Sequence, residues 1–139
     1  MNHTQAIPVR PNAASSAYRI LSAFPIAAFS LTVLTDLAYW RTANLLWLHF
    51  SEWLLFSGIV FAGLAALVRL AQAATHAPRL AWPYYVAGLA VLVLATLNNF
   101  IHTEDGITAV VPYGLTLSIL TVLAMAVTGL FGRIGAYHA

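Results

Sequence analysis

The chain contains no cysteine and no lysine, and its charged side chains number six arginines and four acids among 139 residues. The missing cysteines exclude disulfides, thiolate metal centres and cysteine nucleophiles. With a formal net charge of +2 and no basic stripe to neutralise phosphates, nucleic acid is excluded as a partner. No glycine-rich phosphate loop is present, and no serine stands beside a histidine and an acid in an elbow-like setting, so no enzyme and no catalytic residue is expected. Charge itself is the largest absence. Only 7% of residues carry it, against about a quarter in soluble domains, while 61% are hydrophobic. A soluble domain of this size has too little polar surface at that composition to cover itself.

What is present is apolar sequence in long runs. Residues 80–103 and 106–132 carry no charge, and two earlier runs carry one carboxylate each, Asp36 and Glu52. A helix crossing a hydrocarbon core about 30 Å thick needs roughly 20 apolar residues. The runs predict spans at about 18–40, 44–70, 81–101 and 107–132, with tails at 1–17 and 133–139 and no separate soluble domain. Continuous rather than alternating apolar runs argue against a barrel. The first run is too long for a signal-peptide core and is read as an uncleaved helix. Pro25, Pro83 and Pro112 fall early in spans one, three and four, where a missing N–H costs least.

The signs of the charges segregate. Arg10, Arg19, Arg69, Arg79 and Arg133 lie in the tails and around the second link, whereas Asp36, Glu52, Glu104 and Asp105 lie at the first and third links with Arg41. Positive residues are retained on the cytoplasmic side. The expected fold is therefore all-α and integral to the membrane: an antiparallel four-transmembrane-helix bundle with both termini cytoplasmic, in a bacterial inner membrane. Trp40, Trp47 and Trp53 near the outer boundary and Trp82 near the inner one suit interfacial anchors. Gly58, Ala62 and Ala66 form a small-residue stripe on span two, as Gly114 and Ser118 do on span four, permitting close helix approach.

Polar groups in the spans are the candidates for chemistry. Asp36, one turn before Trp40, reads as an interfacial carboxylate paired with Arg41 or capping a neighbouring helix, with an ion or proton site as the sharper alternative. His49, Glu52 and Trp53 share a helix face by their spacing. His49, Glu52 and His102 are the metal candidates, with Glu104 and Asp105 able to complete a set, and His49 and His102 the only plausible axial pair for a haem. The bland reading is a solvated outer-rim cluster of Asp36, Arg41, Glu52, Asn98 and Asn99, with the two amides hydrogen-bonding between helices. Tyr84, Tyr85 and Tyr113 read as packing or interfacial residues, with a quinone site as the alternative. No cofactor is expected.

Phe24-Pro25-Ile26-Ala27, Thr35-Asp36-Leu37, the stretch Thr-Ala-Val-Val-Pro-Tyr-Gly-Leu-Thr-Leu-Ser at 108–118 behind Asp105-Gly106, and Val-Thr-Gly-Leu-Phe-Gly at 127–132 resemble a family of small bacterial membrane proteins, domain of unknown function 2231. The resemblance implies a four-helix inner-membrane protein without a settled function. It also implies a Gly-His-Pro-x-His-Pro-like segment before Phe24 and a histidine near the start of span three, both similar to cofactor ligands. Here Arg19-Ile20-Leu21-Ser22-Ala23 and Tyr84-Tyr85 stand in those places, so a family cofactor at those positions would be lost. The leading expectation is an accessory or structural subunit packed against other integral membrane proteins, or self-associated, in a respiratory or photosynthetic electron-transfer complex. A haem- or metal-binding redox protein and a small transporter are the alternatives.

Overall fold

The computed structural model describes residues 13–75, 82–104 and 110–137, in which all regular structure is helical. Helix α1 is Ala13–Thr42, α2 is Leu45–Ala74, α3 is Trp82–Glu104 and α4 is Leu115–Tyr137. A kinked turn, Val110–Gly114, leads into α4. Four helices, counting this turn with α4, are long and apolar enough to cross a membrane, and no more than a third of each one's most apolar window is buried. Most apolar surface therefore faces outward, as a lipid solvent permits. Arg10, Arg79, Asp105 and the side chains of Glu104 and Arg133 lie outside the described residues.

Two proline expectations are displaced. Pro25 falls well inside α1, because the helix begins at Ala13 rather than near Tyr18. Pro112 does not open a regular helix. Val111 before it is extended (φ −120°, ψ 119°), the region into which the Pro ring pushes its predecessor, and the Val111–Pro112 peptide is cis. Regular helix resumes only at Leu115.

The reversal between α1 and α2 is tight. Ala43 adopts a left-handed φ of 50° and its N–H bonds the Tyr39 carbonyl at 2.8 Å, while the Asn44 side chain caps α2 by accepting from the Leu46 N–H at 3.0 Å. A Cβ in this conformation costs about 1 kcal/mol. Ala43→Gly is expected to recover most of that, read as a raised thermal midpoint in detergent; an unchanged or lowered midpoint would contradict the assignment.

The most extensive packing joins α1 to α2, and α3 packs chiefly on α4. Inward positions recur every three or four residues: Phe29, Thr32, Asp36 and Tyr39 on α1; Leu48, Ser51, Leu55 and Gly58 on α2; Val91, Ala95, Asn98 and His102 on α3; Gly114, Ser118 and Thr121 at the start of α4. This spacing keeps one stripe of each helix facing its neighbours. Along the stripes the core divides into layers. Phe29, Leu55, Val91 and Ala95 form one apolar cluster, and Tyr39, Leu48 and Val110 form another. Between or beside these clusters each helix buries polar residues: Thr32, Thr35 and Asp36 on α1, Ser51 on α2, Asn98 and His102 on α3, and Ser118 and Thr121 on α4.

A buried carboxylate–imidazole clasp

The polar layer is centred on Asp36, six residues before the end of α1 at Thr42 and so about 9 Å along the axis from it. Its carboxylate is fully buried and receives a group from each of the other three helices. His102 Nε2 of α3 lies 2.9 Å from Oδ1, Ser51 Oγ of α2 donates to Oδ1 at 2.5 Å, and Ser118 Oγ of α4 donates to Oδ2 at 2.6 Å. Behind Ser118, Asn98 Nδ2 donates to its Oγ at 2.7 Å, which commits the serine proton to Asp36. Behind Ser51, Thr35 Oγ1 lies 2.7 Å from its Oγ, and the single Thr35 hydroxyl proton also faces the carbonyls of Thr32 at 3.0 Å and Leu31 at 3.2 Å. Two hydroxyl chains and one imidazole thus converge on a single carboxylate.

The imidazole is held as firmly. Its Nδ1 lies 2.9 Å from the backbone carbonyl of Asn98, one turn earlier. A carbonyl only accepts, so Nδ1 carries a hydrogen. The Nε2–Oδ1 contact then holds one further proton, and the pair as a whole is neutral. That neutrality reconciles two ionisable side chains with a low-dielectric interior, where an isolated charge costs far more than any one hydrogen bond returns. The ring also needs space. A Cβ built on Gly114 would come within 2.8 Å of His102 Cε1, so the absent side chain at this position is what admits the imidazole.

Ser118→Ala probes the network without touching the pair. It leaves Oδ2 of Asp36 without its serine donor and Asn98 Nδ2 without its acceptor, both buried. The expected loss is about 1–3 kcal/mol, read from denaturant or thermal unfolding in detergent; a loss below 0.5 kcal/mol, on the scale of an ordinary surface substitution, would show that the contacts are not made.

Residues 20–139 match the model of a family described as a predicted membrane protein, domain of unknown function 2231. The chain belongs to this family. No curated protein and no solved structure shows significant similarity to it. The match takes in α1 from residue 20 and the other three helices of this family member, including Asp36, Ser51, His102 and Ser118, and supplies no activity for them.

Against the sequence reading, the candidate residues of this domain of unknown function 2231 protein regroup. The expected Asp36–Arg41 interfacial pair is replaced: Asp36 turns inward to His102, and Arg41 is exposed with its guanidinium 5.9 Å from the Trp40 ring centroid. Five residues at about 100° each place Arg41 about 140° around α1 from Asp36, on another face. Asn98 joins Asp36 in the buried layer, whereas Glu52 does not, so the five-residue rim cluster divides. His49 and Glu52 do meet, at 3.3 Å on an exposed face, but Trp53 turns its ring to Phe56. Among the described residues no group of three His, Cys, Asp or Glu side chains is placed to hold a metal ion, so His49, Glu52 and His102 are not brought together as ligands. His102 has both ring nitrogens engaged. Among the described residues the Oδ1 atoms of Asn98 and Asn99 are buried without a partner. Ser51, Ser118 and Thr35 were not singled out as site residues from sequence; the signal available was a hydroxyl on the same three-and-four-residue stripe as each helix's buried glycine, alanine or aromatic.

Proposed function

We propose that this protein is a non-catalytic accessory subunit of the bacterial inner membrane, a rigid four-helix body that packs its apolar outer faces against larger membrane proteins of an electron-transfer complex. The helices run antiparallel with both termini cytoplasmic, following the arginine distribution. The observation that carries the reading is the Asp36–His102 pair, in which both ring nitrogens and both carboxylate oxygens are engaged and all four helices take part. Groups so committed lock helices in register, a use of buried polarity in membranes, and leave no open position for a substrate. The outer faces, by contrast, present large apolar side chains such as Phe56, Leu67, Phe100 and Leu123.

Crosslinking in native membranes followed by purification in mild detergent tests the assignment. The expected result is a reproducible assembly with another integral membrane protein, unchanged by His49→Ala, with no Soret absorption belonging to this chain. A solitary monomer in native membranes would contradict it.

A second reading has its own observation. An ionisable pair within a span is a default proton-relay candidate, and the free Oδ1 of Asn98 adjoins the network as a spare acceptor. Proton flux into reconstituted vesicles, abolished by Asp36→Asn, would favour this reading over the structural one.

A further inference from the structure

The other end of the helices holds a feature the clasp does not use. A cavity of about 520 Å³ opens between the helices, lined largely by apolar groups including Ile26, Phe29, Leu89, Leu92 and Met125. This volume lies within the range of small-ligand sites. Its polar groups include Tyr18, Arg69 and Tyr84. We propose that this cavity takes an acyl chain of an anionic phospholipid, with the headgroup phosphate held at Arg69.

The polar side of the cavity carries one guanidinium, from Arg69, among the hydroxyls of Tyr18, Ser22, Tyr84, Tyr85 and Thr128, of which Ser22 and Thr128 give their protons to the carbonyls of Arg19 and Ala124. Tyr18 and Tyr84 hydrogen-bond to one another through their hydroxyls. Whichever donates, the other's proton remains available to a ligand oxygen. The Arg69 guanidinium lies 5.9 Å from the Tyr18 ring centroid and gives one N–H to Gln72 Oε1 at 3.1 Å, leaving four of its five donors without a partner among the described residues. Gln72, which does not itself line the cavity, has its Nε2 buried without an acceptor among the described residues. No carboxylate lines the cavity, and among the described residues Arg69 makes no salt bridge. In the sequence all four acids lie toward the other ends of the helices, and five of six arginines lie toward this one. An acceptor-rich anion therefore completes this site, and a neutral quinone, with two carbonyls and no charge, satisfies less of it. Basic pockets between membrane helices hold anionic headgroups on these terms.

The chain has room to fill the cavity by substitution. A Cβ on Gly88, which lines it, meets no atom within 4 Å, so Gly88→Leu projects into the space the acyl chain would take. The experiment measures lipid binding to the full-length protein by native mass spectrometry from a neutral detergent, with phosphatidylglycerol and phosphatidylcholine of identical chains. The expected result is a preference of about fivefold for phosphatidylglycerol, lost in Arg69→Gln, with Gly88→Leu weakening both lipids. Inorganic phosphate, which lacks the chain, is expected not to compete. Equal binding of the two lipids by the native chain overturns the proposal, as does Gly88→Leu binding at native strength, displacement by inorganic phosphate, or displacement by a short-chain ubiquinone at equal concentration. Arg69→Gln alters no core contact, so its folded fraction on size exclusion is expected to match the native chain's.

Discussion

Asp36→Leu is expected to destabilise the folded protein by about 3–5 kcal/mol, the scale for removing one partner of a buried pair and stranding the other. The stranded group is His102, whose Nε2 then faces an alkyl chain, with the Ser51 and Ser118 hydroxyls losing their acceptor as well. His102→Leu is expected to cost a similar amount, because Asp36 keeps two hydroxyl donors but loses its imidazole. The double substitution is the informative one. Replacing both members of a buried pair by apolar residues is often neutral or stabilising, so Asp36→Leu/His102→Leu is expected to cost less than either single change. Reversible unfolding in a detergent–denaturant mixture gives the three values. Additivity of the two single losses would mean the residues do not interact, since only neighbours in one network couple by more than about 0.5 kcal/mol.

The second large effect belongs to the apolar layer. Phe29 is 1% exposed and its ring lies on the bare backbone of Gly58, where an added Cβ would stand 2.5 Å from Cε1. Phe29→Ala removes a core aromatic and opens its space into the adjoining cavity, for an expected loss of about 3–5 kcal/mol. Gly58→Ala overpacks the same contact and is expected to cost about 1–3 kcal/mol. Combined as Phe29→Ala/Gly58→Leu, the new side chain occupies part of the vacated volume, and the double variant is expected to be more stable than Phe29→Ala alone. A double variant less stable than Phe29→Ala would mean that Gly58 and Phe29 do not share this space.

The helices were legible because the bilayer sets a length that the apolar runs meet, and every uncharged or singly charged run became a long helix. The helix faces were harder to read. In a soluble bundle the buried stripe is apolar, but in lipid the outward faces are equally apolar, and the inward stripe is marked instead by small and polar residues. Asp36, Ser51, Asn98, His102 and Ser118 each sit on such a stripe. Read singly, Asp36, Asn98 and His102 were residues near a helix end and Ser118 part of a small-residue stripe; their meeting depends on which helices are neighbours and at what height, information carried by no local spacing. Asp36 was further obscured by Arg41 five residues on, which offers an opposite charge in sequence and points elsewhere in space. The cavity was invisible for a related reason: Tyr18, Arg69 and Tyr84 come from three helices, Arg69 had been read only for topology, and of the three only Tyr84 had a ligand reading, the quinone alternative.

The contact between Asp36 and His102 is the point on which the account rests, and magic-angle-spinning NMR of the labelled protein in bilayers measures it directly. The prediction is a through-space cross peak between Asp36 Cγ and His102 Nε2, with Nδ1 protonated and shielded from exchange with water. An absent cross peak, together with His102 nitrogens in rapid exchange with solvent, would contradict a buried clasp joining the four helices.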